Sequence, residues 1–413
     1  MNNEKSMPRR GKVINKTKPI MSENHKIKRP RIDWTFFMIV FLLLFFGLVM
    51  VYTASYAKAI SQGLPPDHYS NKQIFAALLG LLAMWFFSRF NYNHLSRGWL
   101  VALAFGGSLF LMLLTKVPGL GVTHNGATRW LKIGIEFQPS EFMKLAVIML
   151  FAYYISKYGE RAKTEYTMLG KTINTKKYMG YWWYLLPLII ALGVIVLVLM
   201  SQPHLSCTIL ICAIAFILLL VGETRIVHLL SVAAIGVVGL TGIVLYKIHS
   251  EGFGYFEKRF SAWLHPFENG LDTSWQTQQS LIAIGTGGWT GLGLGQSRQK
   301  FSYLPEPEND FIFAIICEEL GFVAAITLIL MFVVLVYRGF YIASKSPNKF
   351  GMLLVIGITT QIGLQALLNI AVVTNTIPNT GISLPFFSYG GTALAMQLAE
   401  MGMVLGVSRK MLE

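Results

Sequence analysis

The residues best suited to chemistry lie in a polar turn that leads directly into a long apolar stretch. The turn, residues 303–310, holds two prolines and three acids, the last of which is Asp310. Glu318 and Glu319 follow within the apolar stretch, and they would lie about 12–13 Å beyond Asp310 in a helix that rises about 1.5 Å per residue. Ionisable groups at that depth in a bilayer are costly and are by default candidates for function. The rest of the chain decides whether the medium is lipid or water.

The composition indicates that lipid is the solvent for most of the chain. Of the 413 residues, 54% are hydrophobic and only 13% are charged, whereas soluble domains average about 25% charged. Apolar runs of about 17–25 residues are long enough for spanning helices and too long for barrel strands. We therefore predict an all-α integral membrane protein with about ten transmembrane helices. The predicted spans are 34–54, 71–88, 98–115, 140–157, 181–200, 205–221, 226–247, 311–337, 350–374 and 388–408.

The charges outside these spans orient the predicted helices. Residues 1–33 contain ten Lys and Arg against three acids, and we expect them to form a disordered basic tail on the cytoplasmic side. The loops on that side would hold most of the other cations, so both termini are predicted to be cytoplasmic. The polar segments 116–139, 248–310 and 375–387 then face outward, the second as a large extracytoplasmic loop between helices seven and eight. Residues 34–413 would form one polytopic membrane domain.

The basic tail and the cysteines suggest no further class of partner. No interleaving of aromatic and basic residues accompanies the charge, so we predict no nucleic-acid partner. Beside a membrane helix, the tail more simply contacts anionic membrane lipids. The three cysteines lie inside apolar runs and lack metal-binding spacing, so no metal ligand is assigned from them.

Basic residues at the edge of the first outer segment could meet an anion. Arg129 offers a planar fork for phosphate, whereas Lys132 and Lys144 are point charges. Glu141 lies three residues before Lys144 on the same helix face, so these two could instead form a local ion pair at the membrane edge. Ser140 is well placed to cap the helix that begins here.

Asp310 has two possible roles that the residues alone leave open. Together with Asn309 it could cap the start of the following helix and complement its dipole. As a general base it would need an apolar environment that raises its pKa against the effect of that dipole. Glu318 and Glu319 lie deeper and need a cation or a wet cavity, and Lys144 is the candidate cation.

Two further outer segments have compositions typical of fixed turns. The glycine-rich run at 285–297 superficially resembles a dinucleotide-binding fingerprint, but no strand precedes it, and we expect a bent re-entrant loop packed against protein. Prolines and glycines beside aromatic residues at 375–392 predict a turn that feeds a closely packed helix. A purely structural hairpin is the alternative for this second segment.

Four stretches of the sequence together resemble the SEDS family of bacterial cell-wall proteins, the FtsW/RodA/SpoVE group. The similarity extends over nearly all of residues 32–412, and the run 293–306 looks more like the FtsW-type division and sporulation branch than the elongation branch. The four stretches are Asn125–Lys144, Gln276–Gly295, Tyr303–Gly321 and Gly381–Gly391.

The resemblance implies a reaction and a set of site residues. Members of the family polymerise lipid II, the undecaprenyl-pyrophosphate disaccharide pentapeptide, into glycan strands at the outer face of the cytoplasmic membrane. Their essential aspartate corresponds to Asp310, which we expect to act as the catalytic general base. The membrane-edge basic residues of the family correspond to Arg129 and Lys144. We predict that substrate or pyrophosphate is bound by these two residues and by Lys132, Gln276, Gln279, Ser280 and Glu306, with Glu141, Glu318, Glu319 and His204 in supporting roles.

His204 marks a departure from the family pattern. The family commonly has Gln-Pro-Asp-Leu-Gly-Thr at this helix start, whereas residues 202–207 of this chain read Gln-Pro-His-Leu-Ser-Cys. An imidazole replaces a carboxylate, and we expect it to be structural or hydrogen-bonding rather than catalytic. Likewise Ser274 and Trp275 replace the usual Gly-Tyr.

We therefore predict a peptidoglycan glycosyltransferase of cell division, located in the cytoplasmic membrane at the division septum. A divalent cation, Mg²⁺ or Mn²⁺, could assist the pyrophosphate. The expected partners are a class B penicillin-binding transpeptidase, other divisome proteins and membrane lipids. Two other functions fit the same residues: a transporter that flips lipid II, which would use the intramembrane charges, and a scaffold that only recruits the transpeptidase.

Overall fold

The computed structural model describes residues 32–124, 127–167, 175–222, 262–267 and 273–411, with parts of 224–242, and most of these residues are helical. A 3-10 turn at Tyr92–Ser96 precedes the third helix, and residues 227–234 are also helical. The main helices are α1 Trp34–Ser61, α2 His68–Arg89, α3 Gly98–Leu114, α4 Pro139–Thr167, α5 Thr175–Met200, α6 Leu205–Val221, α7 Thr273–Gly287, α8 Ile312–Ser344, α9 Lys349–Val373 and α10 Gly391–Ser408.

The lengths and compositions of the helices are those of a membrane protein. Five are long and apolar enough to cross a bilayer, namely α1, α2, the Trp182–Met200 part of α5, α8 and α9, while α3 and α6 are apolar but shorter. Nine of the ten predicted spans coincide with a described helix, and the seventh, 226–247, lies partly outside the described residues. The number of spans and the side on which the termini lie remain predictions.

The first helix is longer than its predicted span. α1 has 28 residues and ends at Ser61 rather than at residue 54. At about 1.5 Å per residue, that length is about 42 Å, against a hydrocarbon thickness of about 30 Å. α1 is therefore longer than the apolar layer is thick.

The first outer segment corrects the all-α prediction. Residues there form a three-stranded antiparallel sheet in the order β1-β2-β3. Leu131 pairs with a residue on each neighbouring strand and is fully buried. Strands this short offer too few alternating positions for recognition from the sequence. The strands are β1 Gly121–His124, β2 Ala127–Ile133 and β3 Ile135–Phe137.

The core of the described bundle lies around α9. This helix packs against α4, α6, α8 and α10, and most of its residues are buried. Large apolar side chains on other helices point outward instead, since Phe45 of α1, Leu82 of α2 and Leu330 of α8 are each more than half exposed. An apolar exterior around a helical core with buried polar side chains is the pattern expected in lipid.

A glycine kink divides α8 and receives the glycine-rich loop. Gly321 has φ 74° and ψ −173°, a conformation open to glycine that interrupts the helical hydrogen bonds. Backbone amides of 292–293 donate to the carbonyls of 318–319, and amides of 322–323 donate to the carbonyls of 288–289, at 2.9–3.3 Å. The loop thus satisfies the backbone groups that the kink leaves without helical partners, as a bilayer requires.

Two further glycines permit this close approach. A Cβ on Gly287 would lie 1.9 Å from the carbonyl oxygen of Cys317, and a Cβ on Gly291 would lie 2.2 Å from that of Glu319. Both distances are impossible for a real side chain, so these positions need glycine. The predicted packing of this loop against the protein is confirmed.

The close contact between α2 and α10 gives a test of the packing. A Cβ on Gly402 would lie 2.5 Å from the carbonyl oxygen of Met84. We expect Gly402→Ile to lower the free energy of unfolding by at least about 1–3 kcal/mol, the usual range for overpacking. Thermal unfolding of the detergent-solubilised protein measures this. The control is Gly106→Ile on α3, where no described atom lies within 4 Å of the added Cβ; equal melting temperatures for the two variants would contradict the packing.

Candidate active site

Asp310 lies in the polar turn that precedes α8, two residues before that helix begins. It does not cap that helix, because Phe311 occupies the capping position and no side chain bonds to the first amides. The side chain of Asn309 donates to Glu306 instead, at 2.5 Å. The Asp310 side chain is half-buried, and no described residue forms a hydrogen bond or an ion pair with its carboxylate. The capping alternative is therefore not observed.

The buried side chain of Asn369 fixes the peptide group of Asp310. Its amide nitrogen donates to the carbonyl oxygen of Asp310 at 2.7 Å and to that of Ile382 at 2.6 Å. Asn369 is fully buried within α9. A single side chain thus joins the loop that carries Asp310 to the segment before α10.

That segment holds the same loop at two further points. The hydroxyl of Ser388 donates to the carbonyl of Asn309 at 2.8 Å, and the amide of Tyr389 donates to the carbonyl of Glu308 at 2.8 Å. A Cβ on Gly381, whose φ is +68°, would lie 3.2 Å from the Oδ2 atom of Asp310. Residues 375–392 are therefore part of the Asp310 site rather than a separate hairpin.

Lys58 compensates the two other acids of the loop, and the sequence analysis did not identify it. Its ammonium group forms an ion pair with Glu306 at 3.3 Å and another with Glu308. Glu308 is fully buried, whereas Glu306 is half-buried. Glu306, predicted to bind substrate, is thus engaged with Lys58 and Asn309.

The surroundings of Asp310 raise its pKa to about 6. Burial is the largest cause, since it disfavours the charged form, and the negative charges of Glu306 and Glu308 act in the same direction. The positive charge of Arg129 acts in the opposite direction. A carboxyl group with this pKa is mostly ionised at neutral pH yet basic enough to accept a proton, as a general base requires.

The sheet carries two further cations, Arg129 and Lys132. Arg129 on β2 donates from Nε to the carbonyl of Gln202 at 3.2 Å and also contacts the carbonyl of Pro203. Lys132, three residues further along β2, is exposed and lies opposite Glu136 of β3. The structure therefore places Arg129 within electrostatic range of Asp310, with Lys132 on the same strand.

The pair Glu141–Lys144 is a local ion pair, one of the two alternatives that its spacing allowed. The distance between the charged groups is 2.8 Å, and both side chains are buried. Lys144 also donates to Gln365 of α9 at 3.3 Å. Helix α4 begins at Pro139, so Ser140 lies inside the first turn and is not the cap that we predicted.

The predicted pairing of Lys144 with Glu318 or Glu319 is wrong. Glu319 forms a buried ion pair with Lys300 at 2.9 Å. Glu318 accepts hydrogen bonds from the hydroxyl of Ser297 at 2.5 Å and from the amide of Arg298 at 3.0 Å. The glycine-rich loop, bent back onto α8, brings these partners to both acids.

Polar residues of α7 bond to the turn before α8 and to the chain after α9. Gln276 donates to the carbonyl of Pro305 at 3.4 Å and accepts from Asn379 at 3.0 Å. Ser280 donates to the carbonyl of Val373 at 2.7 Å, and Gln279 is buried. Gln276 and Ser280 thus tie α7 to its neighbours, and a direct role in binding substrate remains a prediction for all three.

His204 lies buried in the turn between α5 and α6. Burial, together with the nearby charges of Arg129 and Lys144, lowers its pKa to about 3, so the imidazole is neutral at physiological pH. Its Nδ1 atom has no hydrogen-bond partner among the described residues. A neutral imidazole agrees with the structural role that we expected for His204. The alternative, a hydrogen-bonding role, is not observed at Nδ1.

The described residues contain no group of three or more His, Cys, Asp or Glu side chains arranged to hold a metal ion. The acids nearest to Asp310 are Glu306 and Glu308, and both are occupied by Lys58. The described side chains therefore form no ready-made protein site for the divalent cation that could assist the pyrophosphate.

Residues 33–412 match the FtsW/RodA/SpoVE family, described as cell cycle proteins. The chain belongs to this family. Stage V sporulation protein E of Bacillus subtilis is 38% identical over 92% of the chain and 98% of its own length. A protein of Geobacter sp. strain M18, named probable peptidoglycan glycosyltransferase FtsW, is 36% identical over 92% of the chain and 97% of its own length.

Solved structures of the FtsW/RodA/SpoVE family have the same fold. A chain of a peptidoglycan synthase complex, studied for the coordination of polymerization and crosslinking, has a TM-score of 0.70 and 27% identity over 92% of this chain and 98% of its own. The rod shape determining protein RodA of Thermus thermophilus has a TM-score of 0.61 and 26% identity, and covers 92% of this chain and 98% of its own.

Replacing Asn369 tests the clamp on Asp310. The isosteric Asn369→Asp variant exchanges the donor for an acceptor, so the carbonyls of Asp310 and Ile382 lose their partner. We expect the free energy of unfolding to fall by about 1–3 kcal/mol, the cost of leaving buried polar groups unpaired. Thermal unfolding in detergent measures it. Asn93→Asp, at an exposed position whose side-chain oxygen accepts from Asn348 and would still accept as a carboxylate, should change stability by less than about 0.5 kcal/mol; a similar loss in both variants would argue against the clamp.

Proposed function

We propose that this protein is a peptidoglycan glycosyltransferase that polymerises lipid II at the outer face of the cytoplasmic membrane during cell division. The observation that carries the proposal is the placement of Asp310, which is clamped through its backbone while its carboxylate has no partner among the described residues. Membership of the FtsW/RodA/SpoVE family and the named activity of several relatives support the same conclusion.

The reaction needs a base for the acceptor and help for the leaving group. Asp310 takes the proton of the 4-hydroxyl group of the acceptor sugar. The resulting oxygen nucleophile attacks the anomeric carbon of the lipid-linked donor. The bond between that carbon and the pyrophosphate oxygen breaks, and its electron pair leaves with the undecaprenyl pyrophosphate.

The cations on β2 are best placed to receive the leaving pyrophosphate. Arg129 presents a planar fork that suits phosphate oxygens, and Lys132 is exposed to solvent. Lys144 has its charge compensated by Glu141 in a buried pair, so its part is to maintain the charge balance of the bundle beneath the site. Fixed positive charge near the leaving group stabilises the transition state without reorganisation.

The proposed orientation places both termini in the cytoplasm and the Asp310 loop outside. The positive charge of the predicted inner loops supports it. The expected partner is a class B penicillin-binding transpeptidase at the division septum, because a structural relative is part of a peptidoglycan synthase complex. Imaging a tagged copy at midcell checks the predicted septal location.

Substitution of the proposed base tests the mechanism directly. Asp310→Asn should lower the rate of glycan-strand formation from labelled lipid II by at least about 100-fold, since general bases typically contribute about 10²–10⁴-fold. The protein should still reach the membrane in normal amount. Asp67→Asn, at an exposed position before α2, is the matched control and should keep the wild-type rate. Strand formation by Asp310→Asn at that rate would refute the assignment.

The pH dependence of the rate should report on the neighbouring acids. The ionised form of Asp310 is active, so the rate should fall as the pH drops through its pKa of about 6. Glu306→Gln removes a negative charge that raises this pKa, so the acid limb of the pH–rate profile should move to lower pH. The profile is measured with purified protein and labelled lipid II. A limb that stays in place, or moves upward, would contradict the proposed electrostatics.

The same reconstituted system separates the three functions. Purified protein is assayed alone and together with its co-purified transpeptidase, in sealed vesicles that contain labelled lipid II. Glycan strands support the enzyme, translocation of lipid II without strands supports a flippase, and neither product supports a scaffold.

A further inference from the structure

Helix α1 is joined to the chain around α8 by ion pairs at both of its ends. Near the outer end, Lys58 pairs with Glu306 and Glu308, which lie in the loop just before α8. At the other end, Asp33 pairs with Arg338 of α8 at 2.9 Å. The two pairs are similar in kind, since each contains a fully buried carboxylate and a half-buried cation. They differ in position, because only the outer pair lies beside Asp310.

Within this loop, the buried carboxylate of Glu308 is the group that most needs the charge of Lys58. Its side chain is fully buried, and its Oε2 atom has no hydrogen-bond partner in the described structure. The other oxygen contacts Lys58. A buried carboxylate without a partner is strongly unfavourable, so without Lys58 the side chain of Glu308 would have to leave its place or take up a proton.

The position of Glu308 couples this requirement to Asp310. Only Asn309 separates the two acids, and the backbone is held on either side, at Glu308 by Tyr389 and at Asp310 by Asn369. Lys58 is therefore the side-chain anchor of a segment of three residues whose backbone anchors come from α9 and the segment before α10. A displacement of about 1 Å at a reacting group can cost about 100-fold in rate.

We propose that Lys58 is a positioning residue for Asp310: through its ion pairs with Glu306 and Glu308, it holds the loop before α8 in the geometry that presents the Asp310 carboxylate to the acceptor sugar. This inference rests on the proposed glycosyltransferase function. It assigns to α1, a helix that contributes no reacting group, a direct influence on the base.

The charges that face Asp310 come from three elements. Glu306 and Glu308 lie on its own loop, Arg129 lies on β2, and Lys58 of α1 balances the two acids. Tyr389, from the segment before α10, contributes a neutral ring. Removing Lys58 leaves the acids without their compensating charge, and an additional uncompensated negative charge favours the protonated form of Asp310.

The central experiment compares Lys58→Met with Lys58→Met/Glu308→Gln and Lys58→Arg. Strand formation from labelled lipid II gives kcat and KM, and the pH–rate profile gives the acid limb. We expect Lys58→Met to lower kcat by at least about tenfold and to move the acid limb to higher pH. The double variant has no unpaired buried charge at position 308, so most of kcat and the original acid limb should return. Lys58→Arg keeps the charge and should retain most of kcat.

Arg338→Met provides the control for a merely structural role. It breaks the equivalent pair at the other end of α1 and should lower the melting temperature, while kcat and the acid limb stay at their wild-type values. The inference is overturned if Lys58→Met keeps the wild-type kcat and acid limb, if Arg338→Met changes them equally, or if the double variant shows no recovery over Lys58→Met.

Failure of this inference is distinguishable from failure of the proposed function. If wild-type protein forms strands and Asp310→Asn does not, the function stands whatever the Lys58 variants do. If wild-type protein forms no strands, alone or with its transpeptidase, the function itself fails, and the positioning role fails with it.

Discussion

The hydrogen bonds that the Asn369 side chain donates to two main-chain carbonyls are the interaction on which the site depends. They join the loop before α8 to the segment before α10. Since the clamp acts on the backbone, it fixes the course of the chain and leaves the Asp310 carboxylate available for chemistry. A base held by its own side-chain hydrogen bonds would be equally well placed, but it would have to break those bonds to accept a proton.

Three buried acids of the bundle are each compensated by a cation. Glu141 pairs with Lys144, Glu319 with Lys300, and Glu308 with Lys58. Unpaired charges in such surroundings are severely unfavourable. The Lys300 and Lys58 pairs each join two separate segments of the chain, whereas the Lys144 pair lies within one helix. Asp310 differs from these acids because Arg129 is the cation that acts on it, and no described residue forms an ion pair with it. Burial is the main cause of its raised pKa.

Local features of the sequence were predictable, and distant pairings were not. The apolar runs gave the helices, and the spacing of Glu141 and Lys144 gave their ion pair as one of two alternatives, because both signals depend on neighbours along one helix. The three-stranded sheet was missed because its strands are short. Lys58 and Glu308 are separated by 250 positions in the sequence, so no local sequence pattern predicts their ion pair. The pairing of Lys144 with Glu318 or Glu319 was predicted wrongly for the same reason. The glycine-rich loop brings Lys300 to Glu319, and the path of that loop could not be derived from its composition.

One missed feature had a local signal. Gln361, Gln365 and Asn369 lie four residues apart on one face of α9, and this spacing indicates a stripe of buried polar residues.

The kink at Gly321 has a mechanical consequence. Because the carbonyls before it and the amides after it both bond to the glycine-rich loop, that loop bridges the kink and joins the two parts of α8. A bend of α8 at Gly321 would therefore break the hydrogen bonds between the loop and one side of the kink. The kink is thus a rigid corner of α8 rather than a joint, and the proposed substrate would have to reach Asp310 without a bend at this point of the helix.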